Sequence, residues 1–255
     1  MAFAEIKGKK IFFAEEGADN KDSIVLIHGA GCNHKVWRAQ LSGLSGHFRV
    51  LAVDLPGHGL SDGPPMSSIS GYTQFARDFT GQVVKNKRFY LGGHSMGGAI
   101  TLNYALDFPA DLDGIILVAT GSRLRVNKAV LETYQKGRHY EQLINYAVSK
   151  SATKEIRDAV QEIKKESPPS VCFNDYTACD NFDVSDRLAG ITTPTLVTCG
   201  KDDMLTPPKY SDFLVQAIQG SLLKKIEGSG HFICIEKPDF LNANIIDFLS
   251  ALKEV

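Results

Sequence analysis

The stretch Gly93-His94-Ser95-Met96-Gly97 sets one hydroxyl between glycines, where the apolar run Phe89 to Leu91 gives way to a helical pattern from Ala99 to Leu106. Strand, sharp turn and helix in that order lift a side chain off the carboxyl end of a sheet, above a helix N-terminus. The turn strains the backbone at the serine, and glycine on either side lets neighbouring backbone pass without a Cβ in the way. A serine hydroxyl is a weak nucleophile near neutrality. Chemistry at Ser95 therefore requires a base beside it and an acid that orients the base.

Seven histidines are available. His28 and His94 border apparent turns, His34 and His47 lie in or beside a helical segment, His58 sits in a glycine turn, and His139 lies among later helical patterns. His231 differs. "EGSGHFICIEKP" places it in a glycine-flanked loop after the last predicted strand and before the last helix, where it can reach over the carboxyl edge of a sheet. The acid is expected at the end of an earlier strand. "PTLVTCGKDDMLTPP" supplies two neighbours there, Asp202 and Asp203, and the residue types alone leave both open.

The elements that must hold these groups are short, nearly continuous apolar runs: "IVLIHG", "FRVLAVD", "RFYLGG", "GIILVAT", "PTLVTCG" and, weakest, "SLLKKIEG". Such runs suit strands covered on both faces. Helix-length segments alternate with them, "KVWRAQLSGLSG", "YTQFARDFTGQVVKN" and "AITLNYALDFP", and a last helix is expected in "EKPDFLNANIIDFLSALKEV". The opening "FAEIKGKKIFFAEEG" reads as two short strands around a turn. Alternation of this kind predicts an α/β fold with a mostly parallel sheet flanked by helices. Residues 122–186 break the pattern: helical signals and no clear strand predict an inserted helical cap, with 1–121 and 187–255 forming the core.

Composition narrows the partners. The 255 residues are 43 % hydrophobic and 22 % charged, enough for one large buried core. A formal charge of −1 without a Lys/Arg block argues against nucleic acid and anionic membranes. Five scattered cysteines with no C-x-x-C pair imply neither a zinc knuckle nor a disulfide framework. With no signal-like apolar run at the start and no long apolar stretch, a cytoplasmic protein without membrane insertion is expected. "GAGCNH" begins like a dinucleotide fingerprint, but its third glycine position is His34, so that reading fails.

Five segments, "HGAGCNHKVW", "DLPGHGLSD", "GGHSMGGA", "GKDDMLTPP" and "GSGHFICIEKP", resemble the α/β-hydrolase superfamily, and the resemblance spans nearly the whole chain. It implies Ser95 as nucleophile and His231 as base, in the chain order Ser, Asp, His. The acid of that family stands three residues after the strand-ending glycine, which selects Asp203. The backbone N–H groups of Ala30 and Met96 would form the oxyanion hole. No metal or organic cofactor is called for. The implied partner is a small-molecule carboxylic ester, of small to medium size given the short cap.

A C–C bond hydrolase or enol-lactonase of aromatic catabolism is an alternative on the same triad. A non-catalytic small-ligand receptor is an alternative from another class. An aspartate-nucleophile dehalogenase is disfavoured by Ser95. Asp54, His58 and Ser61 are expected to build a structural turn, and the cysteines to pack as buried thiols. Of the aromatic residues in the proposed cap, Tyr134, Tyr140, Tyr146, Phe173 and Tyr176, the spacing leaves core packing and a substrate lining both open. Arg123 and Arg125 are expected at the surface.

Overall fold

A computed structural model describes residues 2–85 and 88–253. The ends of two predicted helices, Asn86 and Glu254 with Val255, lie outside the described residues.

Eight strands form one sheet: β1 (Ala2–Ile6), β2 (Lys9–Glu16), β3 (Ser23–Ile27), β4 (Arg49–Val53), β5 (Phe89–His94), β6 (Leu112–Val118), β7 (Thr195–Gly200) and β8 (Leu222–Ile226). Their order is β1-β2-β4-β3-β5-β6-β7-β8. The β1–β2 and β2–β4 pairs are antiparallel, and every later pair is parallel. All residues of β3, β5 and β7 are buried, as continuous apolar runs require in a sheet covered on both faces. The weakest run is an edge: β8 leaves Leu222 exposed and carries Lys224 and Lys225, which discourage a further strand.

Helices α1 (Arg38–Leu44), α2 (Ile69–Val83) and α3 (Met96–Asp107) follow β3, β4 and β5. Helices α4 (Lys128–Gln135), α5 (Ile144–Ala147), α6 (Lys154–Glu166) and α7 (Pro169–Asp180) lie between β6 and β7, and α8 (Pro208–Ala217), α9 (Ile233–Glu236) and α10 (Pro238–Ala251) complete the chain. One face of the sheet, with Val25 and Ile27, packs on Tyr72, Phe79 and Ile100 of α2 and α3. The opposite face, with Ile24 and Leu26, packs on Leu41 of α1 and Leu241, Ile245 and Phe248 of α10. Alternate residues of one strand thus feed two apolar layers.

Between Val118 and Thr195 the chain gives the sheet no strand. Its entrance and exit are pinned together, by a bridge between Arg123 and Asp183 and by the Val184 N–H donating to the Ser122 carbonyl at 2.9 Å.

Candidate active site

The loops that matter leave the carboxyl ends of β3, β5, β7 and β8, where open α/β sheets gather ligand-binding groups. At the end of β5, Ser95 has φ 55° and ψ −115°, a left-handed conformation that costs a non-glycine residue roughly 1–3 kcal/mol. Surrounding contacts impose it. The Ser95 N–H donates to Val118 O at 2.9 Å, and the Ser95 carbonyl accepts from Gly98 N and from Thr120 Oγ1. The flanking glycines are steric necessities: a methyl group on Gly93 would run into the Gly97 carbonyl, and one on Gly97 into the Ile27 carbonyl.

His231 and Asp203 meet directly, with Nδ1 to Oδ2 at 2.9 Å and both residues buried. Three donors fix the carboxylate: Leu205 N and Thr206 N reach Oδ1 at 2.8 and 2.9 Å, and Thr206 Oγ1 reaches Oδ2 at 2.7 Å. With Nδ1–H donating to Asp203, the tautomer leaves Nε2 of His231 free to accept a proton. Asp202 is exposed and accepts from Ser149 Oγ at 2.6 Å.

The backbone of His231 is tied down as well. Its N–H donates to Ala147 O at 2.8 Å, and its carbonyl accepts from Nε2 of His94 at 2.9 Å. Burial holds the His94 pKa well below the ordinary histidine value, so the ring stays neutral and donates through that nitrogen. Glu236 braces the same loop, its carboxylate accepting from Gly230 N, Phe232 N and Ser149 N.

The loop after β3 lies against the elbow: a methyl group on Gly29 would stand 3.1 Å from Ser95 Cβ. Among the described residues, neither the Ala30 nor the Met96 N–H donates to another backbone group. The next peptide is gripped at both ends from the helical interval. Lys164 Nζ of α6 donates to Ala30 O at 2.6 Å, and Asp175 Oδ2 of α7 accepts from Gly31 N at 2.7 Å. Gly31 has φ 59°, and a Cβ there would meet Cys172 Sγ and Lys164 Nζ.

Asp175 also accepts from Tyr72 OH at 2.6 Å and pairs with His58 Nε2 at 2.8 Å, both His58 and Asp175 being fully buried side chains. Burial works against both charges, but each outweighs that penalty in the other: the Asp175 carboxyl lies below its usual range and His58 above its own.

Ser95, His231, Gly29 and Ala30 share a cavity of about 380 Å³. Tyr140, Tyr146 and Tyr176 line it, whereas Tyr134 is buried beside it and Phe173 packs behind. Arg125 reaches its wall, and Arg123 faces Asp183 at the surface. Ser95 and His231 both line this cavity; among the described residues no hydrogen bond joins the Ser95 hydroxyl to the imidazole.

In the other glycine turn, Asp54 accepts from His34 N and Leu60 N, and Ser61 Oγ donates to Asp54 O. That turn lies outside the cavity wall. All five cysteines are unpaired and buried; burial pushes Cys32 up to about 11, where a thiol is inert at neutral pH. Among the described residues no group of three metal-ligating side chains is assembled, and no helix is long and apolar enough to cross a membrane.

Sequence reading missed Thr206, Lys164 and Asp175. Thr206 had a local signal, because an aspartate followed two and three residues on by chain-turning positions caps its own loop. Lys164 and Asp175 had none: their partners are 134 and 144 residues away.

The sequence profile of the alpha/beta hydrolase family matches residues 24–244. A pimeloyl-(acyl-carrier protein) methyl ester esterase of Pectobacterium carotovorum is 27 % identical, covering 94 % of this chain and 99 % of its own. A 2-hydroxy-6-oxo-6-phenylhexa-2,4-dienoate hydrolase of Comamonas testosteroni is 27 % identical, covering 91 % and 89 %. A thermophilic esterase structure from Thermogutta terrifontis superposes with a TM-score of 0.90 at 23 % identity, over 99 % of both chains, which is a likeness of fold.

Proposed function

Since the chain belongs to the alpha/beta hydrolase family, we propose that it is a serine hydrolase that cleaves carboxylic esters of small to medium size through an acyl-enzyme. The observation that carries this reading is the buried His231–Asp203 pair, 2.9 Å apart, opening onto the cavity that Ser95 lines.

Ser95 attacks the ester carbonyl as Nε2 of His231 takes its proton, and Asp203 holds the ring and offsets the imidazolium charge. A general base commonly closes on its nucleophile only with substrate in place, so the missing serine–imidazole bond fits this role. The Ala30 and Met96 N–H groups receive the oxyanion; one such donor contributes about 3 kcal/mol to the transition state. His231 then protonates the leaving alcohol and later activates the water that releases the acid. Helices α4 to α7, within residues 122–186, serve as a cap that closes the cavity over the substrate. The five unpaired thiols support a reducing, cytoplasmic setting.

Labelling with a fluorescent fluorophosphonate tests the reading. Wild type is expected to label and to hydrolyse 4-nitrophenyl esters, and Ser95→Ala to do neither. An unlabelled wild type would favour the receptor alternative.

A further inference from the structure

The charge pattern of the cavity wall goes further than the esterase reading on which it rests, and concerns the substrate class. Lys164 and Arg125 line the cavity, and no aspartate or glutamate does. The ammonium of Lys164 is fixed in place by Ala30 O at 2.6 Å and Tyr176 OH at 3.1 Å. Both acceptors are neutral, and among the described residues no carboxylate forms an ion pair with it.

The nearby acid, Asp175, is already occupied by His58, Tyr72 and Gly31. Burial works against charge on Lys164, yet its pKa lies well above the ordinary lysine value and the group is an ammonium at neutral pH. Lys164 is half-buried, and a charge that gives up part of its hydration is ordinarily compensated by a partner of opposite sign. An ammonium has three N–H donors; two are taken here, and the cavity borders the group that carries the third.

We infer that the substrate brings the missing counterion: an ester that also bears a free carboxylate, seated on Lys164 while its ester carbonyl faces Ser95. Arg125, which also lines the cavity and whose guanidinium donates to the Asp180 backbone carbonyl, adds attraction of the same sign.

Two 4-nitrophenyl esters of matched acyl length decide it, the neutral pentanoate and the anionic mono-ester of glutaric acid. At low salt wild type is expected to favour the anionic ester by about tenfold or more in kcat/KM, with the margin shrinking at about 0.5 M salt. Lys164→Met should cut the anionic-to-neutral ratio about tenfold or more, and Lys164→Arg should keep most of it. Reading the ratio separates charge recognition from any general damage to the loop that Lys164 also holds.

A wild-type ratio near one, or a ratio in Lys164→Met within about twofold of wild type, would overturn the inference while the esterase reading stands. Calorimetry on Ser95→Ala, with monomethyl and dimethyl glutarate, gives the answer without turnover. Tighter binding of the mono-ester, lost in Ser95→Ala/Lys164→Met, supports the carboxylate seat, and equal binding of the two sinks it. Failure of fluorophosphonate labelling and of both nitrophenyl esters would count against the esterase reading alone.

Discussion

Two adjacent carboxylates, Asp202 and Asp203, differ only in where the turn after β7 points them. Asp203 is buried on the imidazole, and Asp202 faces solvent and Ser149. In the proposed mechanism Asp203→Asn presents an amide to Nδ1, favours the wrong tautomer and is expected to lower kcat by about 10³–10⁴. Asp202→Asn should stay within about threefold of wild type, since it removes only a surface partner. Steady-state rates on one nitrophenyl ester check both, and the reverse order would reassign the acid. Thr206 refines the picture, because its hydroxyl donates to the same Oδ2 that receives His231. Thr206→Val loses one hydrogen bond to a charged group, about 1.5–3 kcal/mol. It should lower kcat more than it raises KM, and an unchanged kcat would show that the two backbone donors to Oδ1 suffice.

At the scale of elements, the site is an agreement between a loop after β3 and two helices far along the chain. The Ala30–Gly31 peptide is held through its carbonyl by α6 and through its N–H by α7. Its orientation sets the direction of the preceding Ala30 N–H, one of the two proposed oxyanion donors. Asp175→Ala would strip three hydrogen bonds and leave the buried His58 without its partner. The expected cost is about 3–5 kcal/mol in urea unfolding, with slower ester turnover as the loop loosens. A loss below about 1 kcal/mol would remove this network from the account of the loop.

The strands, the elbow at Ser95 and the loop of His231 are written in consecutive residues, as apolar runs broken by glycine. Even the weak run at Leu222–Ile226 carried its explanation, since an edge strand needs its lysines. The grip of Lys164 and Asp175 on one peptide leaves no local trace, because only the packing of the helical interval on the sheet brings those side chains there. Helical spacing likewise left Tyr176 and Phe173 equivalent; packing turned one into the cavity and the other away.

The whole molecule answers to pH through histidines that the chemistry does not use. His28 is buried with both ring nitrogens satisfied in the neutral form: Nδ1–H donates to Gly29 O at 2.9 Å, and Nε2 accepts from Leu55 N at 3.1 Å. A second ring proton would face the Leu55 N–H, so burial first, and then the nearby His58, lower its pKa from 6.5 to about 4. His94 is lowered too, by burial and then by His231. As pH falls below 6.5 the unfolded chain binds protons at both positions and the native fold does not, so stability must drop.

For His28 alone the shift amounts to about 3 kcal/mol by pH 4, at about 1.4 kcal/mol per unit. Glu236, raised by burial, binds its proton earlier in the native state and offsets part of this loss. Asp175, held low, keeps its contribution until the pH falls below the ordinary carboxylate range. His58, held high, contributes fully below its unfolded pKa of 6.5 and loses that contribution progressively as the pH rises from there through its native value. With the buried His28 and His94 against one glutamate, the urea midpoint is expected to fall steadily as the pH drops from about 6.5 to 4.5, and above 6.5 to give up the His58 contribution. A midpoint that stays flat across that interval would mean that His28 and His94 take up their protons in the folded protein, and that the neutral tether from His94 to the His231 carbonyl is misassigned.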